Sequence, residues 1–293
     1  MTKFLKCILL LSGLACPAAF GAVAADTANA FAEHETSSTT SLATTGSITV
    51  AAGDNLLLVF VSSVTNSGSA THFSSLSWNG HALTYVGQSF SAYTIDHELW
   101  ELVSPTAGSG TITGTYPQAL GGAENVVAIA FSGANTSTPL GTLATNSGSG
   151  DTFSVTASGG VSGDLYIGNV IFSGTNASVT ATGTGQTQIK SIASGTVTVS
   201  STSLDSIAGS GSGAFAWGTT SPSGNGTDMA LAVAVKASGG GSVCTNPGWS
   251  KTGASSVPNG TSGLYWGKTG AWVTPDCSTV QYWQPALGNW GVN

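Results

Sequence analysis

Arginine is missing from the 293-residue chain, and all six basic residues are lysines. Charge of either sign is scarce, at 6% of residues, against about 25% in an ordinary globular domain. The formal net charge is −7. Nucleic acid is excluded as a partner, because neutralising phosphates needs clustered Lys and Arg. An anionic membrane surface is excluded on the same ground. A sustained helical period with caps is also missing, and so is the apolar run of about 20 residues that a membrane-spanning helix needs. Cysteine is sparse, with four in the whole chain.

What is present is apolar and small. Hydrophobic residues make up 41% of the chain, and there are 41 glycines. Low hydrophobicity with high net charge marks disorder, and this chain has neither. Its composition suits all-β extracellular proteins, whose exposed strand faces carry Thr and Ser in place of Lys and Glu.

The N-terminus fits that compartment. "MTKFLKCILLLSGLACPAAFGAVAA" has Lys3 and Lys6, an apolar run from Cys7 to Ala15, then small residues. Ala22-Val23-Ala24 and Val23-Ala24-Ala25 both match a small-x-small cleavage site, so residues 1–25 read as a secretory signal peptide. The protein is expected to be secreted or held at the cell surface. Lipidation at Cys16 fits poorly, since Gly13 stands where a leucine is usual. Cys7 and Cys16 leave with the leader. Cys244 and Cys277 remain, and in an exported chain they are expected to form a disulfide bond.

Residues 26–237 read as one β domain. Apolar or alternating runs such as "NLLLVFVSSV", "ENVVAIAFSG", "GDLYIGNVIFSG" and "DMALAVAVKA" recur between Gly, Ser, Asn and Pro. Asn79-Gly80 in "SLSWNGHALTYVG" is the pair that a two-residue type I′ hairpin requires. Many short strands with turn signals predict an all-β, jelly-roll-like antiparallel β-sandwich. Residues 238–242, Ser-Gly-Gly-Gly-Ser, form a flexible linker by composition. Residues 243–293 are then a small, disulfide-stapled, Trp-rich β module, with an echo of "WSKTGA" at Trp249 in "WGKTGA" at Trp266.

The succession "GDNLLLVFVSS", "SSLSWNGHALTYVG", "HELWELVSPTAGSGTITGTY", "NVVAIAFSGANTSTPLG" and "MALAVAVKAS" resembles a β-sandwich domain recurrent in exported bacterial surface proteins and phage virion proteins. The resemblance covers most of residues 45–237. Its motifs are structural, so it implies fold and an exported or surface context, and it assigns no catalytic residue.

Three patterns are candidates for chemistry. "DHELWEL" concentrates Asp96, His97, Glu98 and Glu101. In a strand, Asp96 and Glu98 share one face with Trp100, and His97 and Glu101 share the other. A glycosidase reading needs a second carboxylate across a groove, and a solvated strand face is the preferred interpretation. His72 and His81 flank the Asn-Gly hairpin and offer a weak metal pair. Asp54, Asp151, Asp164 and Asp228 follow glycine-rich turns and are the oxygen donors available to a structural calcium. No cofactor is otherwise implied.

The third pattern is the tail. Five of the eight tryptophans fall in the last 45 residues. An indole is rigid and amphipathic, and it stacks on the C–H face of a sugar while polar neighbours bond the hydroxyl rim. Trp266, Trp272 and Trp283, with Tyr265, Tyr282 and Trp249, are therefore the expected ligand-contacting residues for a polysaccharide or cell-surface glycan. Trp266 and Trp272, six residues apart, would share a face roughly 20 Å apart on one extended strand. The competing interpretation is a small apolar core around the Cys244–Cys277 bridge. Three functions stay open. The first is non-catalytic glycan binding. The second is a structural surface or virion-type component that self-associates through the tail. The third is a glycan hydrolase or lyase.

Overall fold

The computed structural model describes residues 22–65, 71–91, 95–173, 178–193, 201–209, 211–219 and 227–238, and four short strands in the tail. The chain divides into two compact units, with the boundary after Gly240. The described part of the larger unit is all β apart from a single 3₁₀ turn at Thr27–Asn29, and every strand pairing is antiparallel.

Its first half contains β1 (Ala24–Ala25), β2 (Phe31–Glu35), β3 (Ser41–Ala43), β4 (Ile48–Val50), β5 (Asp54–Thr65) and β6 (Ser75–Trp78). These are followed by β7 (His81–Ala82), β8 (Thr84–Ser91), β9 (Ile95–Val103), β10 (Gly108–Gly110), β11 (Ile112–Thr115) and β12 (Leu120–Ser132). An inner sheet runs β1–β12–β5–β9–β8, with β2 also on β12; an outer layer holds β3–β11–β6–β7 and β4–β10. The second half contains β13 (Ala144–Gly148), β14 (Thr152–Gly160), β15 (Leu165–Phe172), β16 (Val179–Ala181), β17 (Thr187–Ala193), β18 (Ser201–Ala208), β19 (Gly211–Thr219) and β20 (Asp228–Val235). Here the inner sheet is β13–β20–β15–β18–β17 and the outer sheet β14–β19–β16.

Hydrophobic patterning sorts the sheets into layers. On β5, Leu57, Val59 and Val61 pack against Leu76, Trp78 and Ile112 of the outer layer. The alternate residues Leu56, Leu58 and Phe60 pack against Ile167, Leu231 and Val233 of the other half's inner sheet. On β20, Ala230, Ala232 and Ala234 face Phe153, Phe215 and Trp217 of the second outer sheet. A strand buried on both faces reads as a continuous apolar run, as β5, β12 and β20 do. By contrast, β14 has one wet face and alternates, "TFSVTASGG". The unit is therefore four β layers deep. The sequence led us to expect one sandwich over residues 26–237. The structure stacks two, joined through their inner sheets.

The two halves repeat one plan. Strand order is the same in the inner sheets, position for position. Leu56 pairs with Phe131 and Val103, and Leu165 pairs with Val235 and Ala208. The edge strands bulge at matching places, between Tyr85 and Gly87 and between Gln188 and Lys190. The turns into β5 and β15 also match. Asp54 Oδ2 accepts from the Ala51 amide at 3.0 Å and Asp164 Oδ2 from the Val161 amide at 2.9 Å. The preceding glycines take φ +100° at Gly53 and +96° at Gly163, a region that suits glycine. After β12 and β20 the chains meet about a local two-fold, with Ala134 bridging Ala237, Asn135 N–H donating to Lys236 O and Ser238 N–H to Gly133 O.

The Asn79-Gly80 turn forms as expected, with φ +48° and +79°, between the paired Trp78 and His81. Ala24 and Ala25 pair with Ser132 and Phe131. Val23 is buried, and its amide donates to Gly163 O at 2.9 Å. Cleavage after residue 25 would strip β1 from the inner sheet.

Candidate functional site

β9 carries the densest polar cluster, and the structure corrects the expectation of a solvated face. Asp96, His97 and Glu98 are all 0% exposed. The reason is position: β9 lies between β5 and β8 in an inner sheet with layers on both sides. The expected division of faces holds, with Asp96, Glu98 and Trp100 on the side of the first outer layer and His97 on the side of the second half.

Glu98 is tied at both oxygens. Oε1 accepts from the Phe73 amide at 3.0 Å and Oε2 from the Trp100 indole at 2.6 Å. Burial raises its affinity for protons, while hydrogen bonds and the nearby His72 ring oppose the rise. Asp96 lies two residues away on the same face, its carboxyl beside that of Glu98. Burial first, then the Glu98 charge, pushes its carboxyl far up. Tyr85 closes the cluster. Its hydroxyl donates to Gln88 at 2.7 Å, its ring lies 4.1 Å from that of His72 and meets Trp100 edge-on at 5.2 Å. Burial, then Glu98 and Asp96, raises the phenol to about 12. Two carboxylates side by side on one strand and closed off from water do not flank a glycosidic bond.

The other face of β9 holds a Ser–His pair. Ser62 Oγ lies 2.8 Å from His97 Nδ1, and His97 Nε2 makes a long 3.4 Å contact to Asn169 O of the second half. Geometry alone would suit a nucleophile and base. Both groups, however, are sealed between the two inner sheets, at 2% and 0% exposed. The pair is a polar clamp across the apolar interface.

The other candidates disperse. His72 stacks on Tyr85, whereas His81 lies against Trp78, so the hairpin histidines form no pair. Asp54 and Asp164 brace their own turns, and Asp164 Oδ1 also accepts from the Ala237 amide. Asp228 accepts from the Ser173 and Gly150 amides. These carboxylates are spent on backbone N–H groups and do not converge as calcium ligands. Sequence reasoning overlooked Glu124, buried on β12 and holding the Ser37 amide at 2.8 Å. Burial, opposed by backbone donors, lifts it to about 7.

In the tail, β21 (Tyr265–Trp266) pairs with β22 (Trp272–Val273), and β23 (Gln281–Gln284) with β24 (Asn289–Val292). Trp266 is the cross-strand partner of Trp272, and Trp283 that of Trp290. Tyr265 stands opposite Val273 and Tyr282 opposite Gly291. This corrects the single-strand spacing: Trp266 and Trp272 are neighbours across a hairpin, not 20 Å apart along one strand. Trp290, another of the five tail tryptophans, is the partner of Trp283. Trp249, Cys244 and Cys277 lie outside the described residues.

No family model, curated protein or solved structure matches the chain. Among the described residues no helix is long and apolar enough to cross a membrane.

Proposed function

We propose that this is an exported, non-catalytic binding protein in which a pair of stacked jelly-roll-like sandwiches carries a Trp-rich tail that recognises extracellular polysaccharide or a cell-surface glycan. The observation behind this reading is the register of the tail. Two hairpins each place one tryptophan opposite another, Trp266 with Trp272 and Trp283 with Trp290. Residues directly opposite on antiparallel strands are close neighbours, so each strand pair sets two tryptophan positions at one level. Among the described residues of the sandwich body, the acidic and histidine cluster of β9 is internal.

The test is a pull-down of the exported protein on a panel of insoluble polysaccharides that includes cellulose, chitin and peptidoglycan. Binding to at least one is expected. The doubles Trp266→Ala/Trp272→Ala and Trp283→Ala/Trp290→Ala should each weaken it at least tenfold, with the circular dichroism of the sandwich unchanged. Reduction of the Cys244–Cys277 bridge should weaken it as well. Binding that survives both doubles overturns the assignment. Concentration-dependent self-association without glycan binding would favour a structural surface component.

Export predicts a particular mature end. Ala19-Phe20-Gly21 supplies small residues three and one before a cut, and cleavage there keeps Val23 and β1 with the fold. Intact mass or N-terminal sequencing of the exported chain should show a start at Ala22. A start at Ala25 or Asp26 would oppose a place for β1 in the inner sheet of the mature protein.

A further inference from the structure

The tail repeats itself at a fixed interval. Trp249, Trp266 and Trp283 are each 17 residues apart. The first two open copies of one unit, "WSKTGASSVPNGTSGLY" over residues 249–265 and "WGKTGAWVTPDCSTVQY" over residues 266–282. Seven of the 17 positions are identical: Trp, Lys, Thr, Gly, Ala, Pro and the closing Tyr. The residue after the proline is Asn259 in one copy and Asp276 in the other. The third tryptophan follows Tyr282 as Trp266 follows Tyr265.

The described strands follow the same frame. β21 is the Tyr265-Trp266 step and β23 contains the Tyr282-Trp283 step, so the seam at the end of each copy is extended both times. Each seam pairs with a strand that brings a second tryptophan, Trp272 six residues on and Trp290 seven residues on. A short unit that recurs at a fixed period is one structural element used repeatedly. An accidental echo in the text would not set two antiparallel pairs at the same point of the unit.

Charge is divided between body and tail. Residues 26–237 carry twelve acids and two lysines. Residues 243–293 carry Lys251, Lys268 and a single acid, Asp276. Both tail lysines are the third residue of the unit, two after its tryptophan. An aromatic and a cation kept together in each full copy offer a sugar ring a stacking face and an anion a partner. One lysine per unit is too sparse for a nucleic acid duplex, whose phosphates are closely spaced. It suits a polymer with one acidic group on each bound sugar.

We propose that the tail is a tandem array, one Trp–Lys site to each full unit, and that its ligand is an acidic polysaccharide of regular repeat, engaged at several points along one chain. This rests on the glycan reading above and narrows it. The tryptophan supplies the stacking surface, and the lysine pairs with a carboxylate or phosphate on the bound sugar. An exposed ion pair contributes little by itself, so a lone site would discriminate weakly. Linked sites on one polymer turn the later contacts into intramolecular ones, and avidity rises by ~10²–10⁴ without a new kind of contact. A short oligosaccharide cannot fill two sites and gains none of this. The acidic body opposes adsorption of such a polymer elsewhere on the protein.

The experiment measures retention of the full exported chain on five immobilised polymers. Polygalacturonate and peptidoglycan carry carboxylates, phosphomannan carries phosphate, and cellulose and chitin are neutral. At least one acidic polymer should bind about tenfold more tightly than either neutral one, and added salt should reduce that margin. The polymer bound best should bind ~10²-fold more tightly than its own trisaccharide at equal concentration of sugar units. Lys251→Gln/Lys268→Gln should abolish the margin over the neutral polymers, and Lys251→Arg/Lys268→Arg should keep it. Trp266→Ala alone should cut the advantage of polymer over trisaccharide about tenfold. Retention on none of the five overturns this proposal together with the glycan reading beneath it. Three results overturn the proposal while glycan binding stands: equal retention on neutral and acidic polymers, a margin that survives the glutamine variant, or a trisaccharide bound as tightly as its polymer.

Discussion

Trp217→Ala is expected to destabilise the protein by about 3–5 kcal/mol, the usual cost of removing a buried tryptophan. Trp217 is fully buried on β19, stacks on Phe215 at 5.6 Å, and donates its indole N–H to Asp205 Oδ2 at 2.6 Å. Truncation opens a large cavity in the core between the second outer and inner sheets. It also leaves buried Asp205 with only the Ser203 hydroxyl, at 2.7 Å, on that oxygen. Burial already raises the Asp205 carboxyl against these donors, so losing the indole drives it further towards the neutral acid. Trp217→Phe separates the two contributions: it keeps most of the ring and the stack but loses the donor, and should cost about 1–3 kcal/mol. Denaturant unfolding followed by circular dichroism is the measurement. A loss below about 1 kcal/mol for Trp217→Ala would contradict the packing described. Because the halves share a continuous apolar interface, the transition should remain single and shift as a whole.

The strands, the antiparallel class and the Asn79-Gly80 turn were legible in the sequence because each is written locally. Alternation, apolar runs and a residue pair that tolerates positive φ need no knowledge of distant segments. The number of layers was not legible. Its trace was the contrast between continuous runs in β5, β12 and β20 and alternation in β14, which separates strands buried on both faces from strands with one wet face. The duplication was hidden for the same physical reason that lets it persist. The repeated elements are backbone features, namely strand order, a bulge and an Asp-braced turn, and side chains filling the two cores can differ widely while volume is kept. Only "AAGD" and "VSGD" survive as visibly related text. The acids of β9 misled because Asp and Glu are almost never fully buried unless paired, and the indole and amide that hold Glu98 become neighbours only in three dimensions. In the tail, the echo of "WSKTGA" in "WGKTGA" drew attention to Trp249 and Trp266, whereas the pairing joins Trp266 to Trp272.

His97 should give the protein an acid limit that a neutral replacement removes. Its ring is satisfied as a neutral imidazole. The Ser62 hydroxyl donates to Nδ1, and Nε2–H is left to point at the Asn169 carbonyl. Burial between the inner sheets lowers its pKa from 6.5 to about 4, against hydrogen bonds to the carbonyls of Asn169 and Val61 that favour the charged ring. The unfolded chain therefore binds a proton that the folded protein refuses. Its contribution to stability is complete above pH 6.5 and is lost as pH falls towards 4, by roughly 3 kcal/mol in all. Glu124 and Asp228 act in the opposite direction. Burial raises them to about 7 and about 6, so their stabilisation is present in acid and fades as pH rises through those values. A pH profile of the wild-type protein alone would mix the two signs. The difference between wild type and His97→Gln isolates the histidine, since the carboxylates are common to both. At pH 7.5 the wild type should be the more stable, because its clamp to Ser62 and Asn169 is intact. Between pH 6.5 and 4 that advantage should shrink by roughly 3 kcal/mol and vanish or reverse, read as converging denaturant midpoints. A difference that stays constant from pH 8 to pH 4 would show that His97 carries no such penalty.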